Sequence, residues 1–318
     1  MRSFNRLVTQ RVGALEDGYL ARARPLGQAR LLWEIAPDGS DVRRLRAQLG
    51  LDSGYLSRLL HSLTADGLVE VDPSAGDRRV RTVRLTAAGR AERDLLDRGS
   101  DELARSFLEP LDETRRQRLV AAMAEVERLL TSALVEVEDV DPARPDAQYC
   151  LREYVAELGA RLEQGFDPAL SISAELDELR PPAGAFLLAT LRGDPVGCGA
   201  LKLHGRQPAE LKRMWVAHSA RGLGVGRRLL TELERRALAA GATVVRLETN
   251  RSLTEAIGLY RSAGYVEVAA FNDEPYAHHW FEKRLVQRAG RDPRGGGRAR
   301  PAHGRSPRRR TRPPPARG

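Results

Sequence analysis

The chain has 318 residues, too many for one small core and comfortable for two domains. Its formal net charge of +9 comes from one end: residues 288–318 hold eleven Arg and one Asp, while the remainder carries 41 basic against 42 acidic residues, so the charge does not mark a nucleic-acid-binding body by itself. Two cysteines exclude a disulfide framework and a cysteine-based metal site, and no apolar run is long enough to cross a membrane, so a cytoplasmic protein without membrane contact is expected.

Apolar residues Leu7, Val8, Val12, Leu15 and Leu20 predict a helix over 4–22, and Pro25 ends it or opens the next, which runs to about Ile35. After the turn Pro37–Ser40, two short helices follow closely. Ser40 is the expected N-cap of the first, with Val42, Leu45 and Leu49 inward and Gly50 as its stop; Asp52 or Ser53 caps the second, with Leu56, Leu59, Leu60 and Leu63 on one stripe. Such a pair is a helix-turn-helix, and its second helix leaves Ser53, Tyr55, Ser57, Arg58, His61 and Ser62 on a polar face that suits a major groove. Strands Leu68–Val71 and Val80–Leu85 flank a basic turn, a wing whose Arg78, Arg79 and Arg81 would reach the DNA backbone or minor groove.

The order helix-turn-helix, Asp77-x-Arg79 in the wing and Leu85-Thr86-x-x-Gly89 resembles the MarR-type winged-helix regulators over residues 1–138. The resemblance implies a mainly α winged-helix domain that binds double-stranded DNA. Two long helices come next, and Leu119, Met123, Val126, Leu130, Ala133 and Val137 form a heptad seam. It reads either as an ordinary core-facing stripe or, as the resemblance implies, as the helix of a homodimer. The acidic, proline-bearing stretch 136–146 marks the boundary, and 139–148 is the expected linker.

Residues 149–287 predict a helix over Tyr149–Gln164 and strands over Ala185–Leu191, Val196–Leu203 and Glu210–Val216. A glycine turn and an amphipathic helix follow, then a strand over Thr243–Thr249, a helix opened by a capping box Ser252-Leu-Thr-Glu255, and strands over Tyr265–Ala270 and His279–Leu285. This is an α+β arrangement of a mixed, mostly antiparallel sheet flanked by helices. The glycine turn Arg221-Gly-Leu-Gly-Val-Gly226 joins a strand to a helix start, the parts of an anion site. It is not a P-loop, because Arg227-Arg228 stand where Gly-Lys-Ser/Thr would be, and its glycines at 222, 224 and 226 do not spell a dinucleotide fingerprint. Arg221-x-x-Gly224-x-Gly226, with Leu259-Tyr260-x-x-x-Gly264-Tyr265, resembles the GNAT N-acetyltransferases over 149–287.

That resemblance implies acetyl-CoA as acetyl donor, with Met214 and Val216 on the pantetheine arm, Arg221, Gly222, Gly224, Gly226 and Arg227 at the pyrophosphate, and Asn250 near the cosubstrate. Tyr260 would be the general acid for the leaving thiolate. An amine attacking a thioester must first lose a proton, and Glu210 and Glu248 are the candidate bases. Asn272, Asp273, Glu274 and Tyr276 lie in a polar, aromatic loop suited to a cationic acceptor or to a solvated turn. His278 and His279 are adjacent and would face opposite ways on a strand, so no metal is expected. The Arg/Pro/Gly tail is expected to be disordered, with DNA phosphates as a candidate partner. The combined reading is a bifunctional regulator and acyltransferase; the alternative is a regulator whose second half only senses acetyl-CoA or an amine.

Overall fold

The computed structural model describes residues 1–12, 24–73, 81–172, 174–205 and 207–286. In the first half, α1 (Arg2–Arg11) covers the start of the helix expected over 4–22; Leu15 and Leu20 lie outside the described residues. Pro25 opens α2 (Leu26–Glu34). The helix-turn-helix is α3 (Val42–Leu49) and α4 (Ser53–Ala65). Asp41, not Ser40, caps α3 by accepting from the Arg44 N–H at 2.8 Å, because the Ser40 hydroxyl is already engaged by the Ala36 N–H within the preceding turn. Asp52 caps α4 in the same way through the Tyr55 N–H. Gly50 ends α3 in the left-handed conformation that glycine adopts without strain.

Strands β1 (Ser40–Asp41), β2 (Val69–Pro73) and β3 (Arg81–Leu85) form the wing sheet in the order β1-β3-β2, antiparallel throughout. Leu32, Leu45, Leu56, Leu60, Leu63, Val83 and Leu96 are buried together beneath it. The Leu85-Thr86-x-x-Gly89 motif has a physical basis. The Thr86 hydroxyl caps α5 (Ala87–Leu108) by accepting from the Gly89 N–H and donates to the Gly67 carbonyl, while Gly89 packs directly on the backbone of Leu68.

Helix α6 (Glu113–Ser132) buries none of its residues; Met123, Val126 and Leu130 are 55, 39 and 65% exposed. The seam stops short of its expected end. Val137 belongs to β4 (Val135–Asp139), which pairs antiparallel with β5 (Gly184–Leu191), so its alternation Val135-Glu-Val137 is a strand period rather than a heptad. The linker expected over 139–148 is likewise replaced: its first residue ends β4, and Pro145 starts α7 (Pro145–Arg161) as a proline at the first helical position.

The remaining strands are β6 (Asp194–Lys202), β7 (Ala209–Val216), β8 (Val244–Thr249), β9 (Val266–Val268) and β10 (His279–Arg284). The described residues give a seven-stranded sheet ordered β4-β5-β6-β7-β8-β10-β9, in which β7–β8 is parallel and the other pairs are antiparallel. Its two faces follow the strand alternation. Phe186 and Leu188 pack with Cys150 and Leu151 of α7, while Leu187 and Ala189 pack with Leu229 and Leu233 of α8 (Val225–Ala239). Helix α9 (Thr254–Ser262) follows β8.

Two irregularities open the sheet. β7 and β8 pair only at Ala209↔Val245 and Glu210↔Arg246, so the rest of β7 has no ladder partner on that side. β7 also carries a bulge: its register against β6 shifts between Cys198 and Ala200, and Arg213 has φ of 54°. The tail from Gln287 lies outside the described residues. Among the described residues, no helix is long and apolar enough to cross a membrane.

Candidate functional site

The glycine turn sits where β7 leaves the sheet. Gly222 and Gly224 have φ of 80° and 76°, and Gly224 is the N-cap of α8 with no side-chain cap. The first intrahelical backbone bond runs from the Arg228 N–H to the Gly224 carbonyl, leaving the preceding N–H groups of the first turn for an anion. Gly226 is closely packed: a Cβ there would stand 3.2 Å from the Leu259 side chain and 3.6 Å from that of Val216. The stripe Val225, Leu229, Leu230, Leu233 and Ala237 is buried and fixes the helix direction. Arg221 ties the turn to α7, with its guanidinium 2.6 Å from Glu157.

These elements line a cleft of about 480 Å³ that contains Met214, Val216, Arg221, Gly222, Gly224, Gly226, Arg227 and Tyr260, together with Tyr154 and Arg161 of α7. Asn250 does not line this cleft but does line the smaller cavity that adjoins it. Its amide donates to the Tyr276 carbonyl and its oxygen accepts from the Ser252 N–H, so it braces the β8–α9 corner. The Ser252–Glu255 capping box does not form either. α9 starts at Thr254 with Leu253 as an uncapping N-cap, and Glu255 turns to Arg161, whose hydrogen bond is the main cause holding its carboxyl down at about 2.

A second, smaller cavity of about 110 Å³ adjoins the first, sharing Tyr154, Met214 and Tyr260. Lys212, Arg213 and Met214, the three residues at the bulge, all line it. Glu248 is at its wall. One carboxylate oxygen accepts from Lys212, and the other is buried without a partner. Glu210 lines neither cavity and is occupied by Arg246 at 2.6 Å, Lys212 at 3.3 Å and His204 at 3.4 Å. Burial raises its carboxyl, but Arg246 and Lys212 together outweigh burial and leave it below the ordinary range.

Tyr260 is 5% exposed and stands where the two cavities meet. Burial pushes its phenol well above the ordinary tyrosine value, and Tyr154 and Glu248 reinforce the shift. Tyr154, also at the junction, is pushed up to about 12 by burial against the pull of Arg213. Nothing in the motif pattern identified Tyr154, Lys212 or Arg213; a pair of cations inside an apolar strand was the one available signal.

Of the four acceptor-loop residues, Glu274 and Tyr276 line the smaller cavity. The buried Glu274 carboxylate accepts from the Ser171 hydroxyl at 3.0 Å, the Ile172 N–H at 2.6 Å and the Tyr276 N–H at 3.3 Å, and no cation pairs with it among the described residues. Asn272 accepts from the Trp280 indole at 2.7 Å, and neither Asn272 nor Asp273 lines a cavity. His279 is 2.6 Å from Glu267, and no metal-binding cluster occurs among the described residues.

In the first half, Ser53, Ser57, Arg58 and His61 are exposed along α4. Arg58 lies over the Tyr55 ring at 5.7 Å, and the Tyr55 hydroxyl rests against Gly27 of α2, so Tyr55 is shared between the face and the helix packing. Arg81 is exposed at the wing end of β3; Arg78 and Arg79 lie outside the described residues.

Comparison with known proteins agrees with both halves. Residues 150–265 match the model of the acetyltransferase (GNAT) family, and residues 21–80 match that of the MarR family. The chain is 40% identical over 103 residues to an IAA acetyltransferase of Azospirillum brasilense, covering 32% of this chain and 66% of that relative's length. It is 30% identical over 151 residues to an uncharacterised N-acetyltransferase of Schizosaccharomyces pombe, covering 46% and 86%. A GNAT family acetyltransferase structure from Staphylococcus aureus overlaps 48% of this chain and 99% of its own, with 17% identity and a TM-score of 0.41. The chain belongs to the GNAT family of acetyltransferases and carries a MarR family domain ahead of the acetyltransferase domain.

Proposed function

We propose that the second half transfers acetyl from acetyl-CoA to a small amine by direct attack, and that the first half binds double-stranded DNA as a homodimer. The observation that carries the enzymatic reading is the junction of the two cavities: a cleft ending in free helix N–H groups meets a pocket walled by carboxylates, with Tyr260 common to both. The N–H groups of the α8 first turn would hold the pyrophosphate. The unpartnered oxygen of Glu248 would take the proton of the incoming ammonium, the freed amine would attack the thioester carbonyl, Tyr260 would protonate the sulfur as the C–S bond breaks, and the second proton shed by the nitrogen as the amide forms would restore Tyr260. Glu274 and Tyr276 would hold the cationic end of the acceptor. Removing the acceptor oxygen tests the assignment: Glu248→Gln is expected to lower kcat by about 100-fold in a thiol-release assay, and a rate equal to wild type would exclude Glu248 as the base.

The regulatory reading rests on the exposed polar face of α4 and on the unburied apolar seam of α6, which a second copy of the helix would cover. Two recognition helices would then face half-sites roughly 34–36 Å apart. Leu130→Glu places a charge in that seam and is expected to give monomers by light scattering and to abolish retention of DNA. A dimer of unchanged stability would remove α6 from the interface.

A further inference from the structure

The end of α6 and the glycine turn of the acetyltransferase half are joined by two hydrogen bonds that run in opposite directions. Arg128 of α6 donates from Nη1 to the Gly222 carbonyl at 3.0 Å, and Arg228 in the first turn of α8 donates to the Ser132 carbonyl at 3.3 Å. Ser132 is the last residue of α6, so Arg228 satisfies a carbonyl that the helix leaves open and places a cation at its negative end. Only Ala133 and Leu134 separate α6 from β4, and Arg236 of α8 pairs with Asp139 at the far end of that strand. The connection between the halves therefore has almost no slack at this point.

Gly222 is the residue where this contact matters. It lines the large cleft and holds a left-handed φ of 80°, a conformation from which a glycine peptide can turn over at little steric cost. Turned over, its carbonyl would face the anion site and repel a pyrophosphate. The Arg128 hydrogen bond holds that carbonyl toward α6, and it brings a guanidinium beside the anion loop. Glu125 grips the same guanidinium through three contacts of 2.6–2.9 Å and offsets its charge.

We propose that Arg128 is a positioning residue for the acetyl-CoA loop supplied by the regulatory half, so that acetyl-CoA occupancy and the setting of α6 are energetically coupled. The proposal rests on the glycine turn being the acetyl-CoA site. Coupling of this kind is reciprocal: whatever α6 contributes to acetyl-CoA binding, acetyl-CoA returns to α6, the helix whose exposed apolar seam the proposed dimer would cover. The bound ligand would thereby report to the DNA-binding half without any contact of its own to α4.

Calorimetric titration of the full chain with acetyl-CoA tests this, alongside hydrogen exchange of residues 113–132 with and without saturating acetyl-CoA. Arg128→Ala is expected to weaken acetyl-CoA binding by about fivefold and Arg128→Lys to restore part of it. Glu125→Gln is expected to strengthen binding, because the guanidinium loses its offsetting charge; a purely structural role for the pair predicts weakening in both variants. In wild type, acetyl-CoA should slow exchange in the last turns of α6, and in Arg128→Ala it should not. Wild-type affinity in Arg128→Ala, or α6 exchange indifferent to acetyl-CoA, overturns the coupling while leaving the enzymatic reading intact. Failure of the wild-type chain to bind acetyl-CoA overturns both.

Discussion

Tyr260→Phe is expected to lower kcat by about 100-fold while leaving acetyl-CoA affinity unchanged, because the substitution removes one proton and keeps the ring. The ring itself is structural. It packs against Tyr265 and Phe281 at centroid distances of 5.9 and 6.1 Å, and phenylalanine preserves both contacts. Alanine would confound the test by leaving a cavity in the sheet-facing core. The electrostatics add a second expectation. Since burial raises the phenol above its ordinary value near 10, Tyr260 keeps its proton across the range in which an ordinary tyrosine would lose it. A wild-type kcat profile should therefore show no fall on raising the pH from about 8 to about 10. Steady-state thiol release checks both points, and a Tyr260→Phe enzyme with wild-type kcat would remove the general acid from the proposal.

Gly89→Ala is expected to destabilise the winged-helix half by about 3 kcal/mol, at the upper end of overpacking effects. A Cβ at this position would lie 1.9 Å from the Leu68 carbonyl oxygen and 3.0 Å from its carbon. Both are backbone atoms, and Leu68 cannot yield, because its carbonyl accepts the Thr86 N–H and its N–H is bound to the Leu63 carbonyl at the end of α4. The first turn of α5 must move instead, and with it the Thr86 cap. Calorimetry should show the transition of this half lowered by roughly 10 °C. An unchanged transition would mean that α5 meets the wing at another angle.

Much of this architecture was legible because local chemistry and tertiary packing agree. The α8 stripe, Gly224 at the helix start and Gly89 beside Thr86 each satisfy a spacing rule and a packing need at once. Errors arose where one pattern fits two periods. Val137 continues a heptad from Met123 and also alternates with Val135 as a strand, and only the pairing with β5 decides between them. The resemblance implies Asn250 near the cosubstrate, and Glu210 is a candidate base by residue type, but each is held by a partner distant in sequence: Tyr276 for the first, Arg246 for the second. The β7 bulge left no mark in the sequence, so the convergence of Lys212, Arg213 and Met214 on one cavity was invisible there. Likewise, the contact between Arg128 and Gly222 joins residues 94 apart and has no local signature.

The central claim is that the glycine turn and Tyr260 serve one reaction, acetyl transfer to an amine. The most direct measurement is release of the coenzyme A thiol from acetyl-CoA by the full chain, run against a panel of small primary amines and without amine. The account predicts saturable acetyl-CoA binding, thiol release that requires an amine, and stoichiometric appearance of the acetylated amine. Binding without release on any amine would contradict the catalytic claim and leave a sensor, and the absence of binding would contradict the assignment of the glycine turn itself.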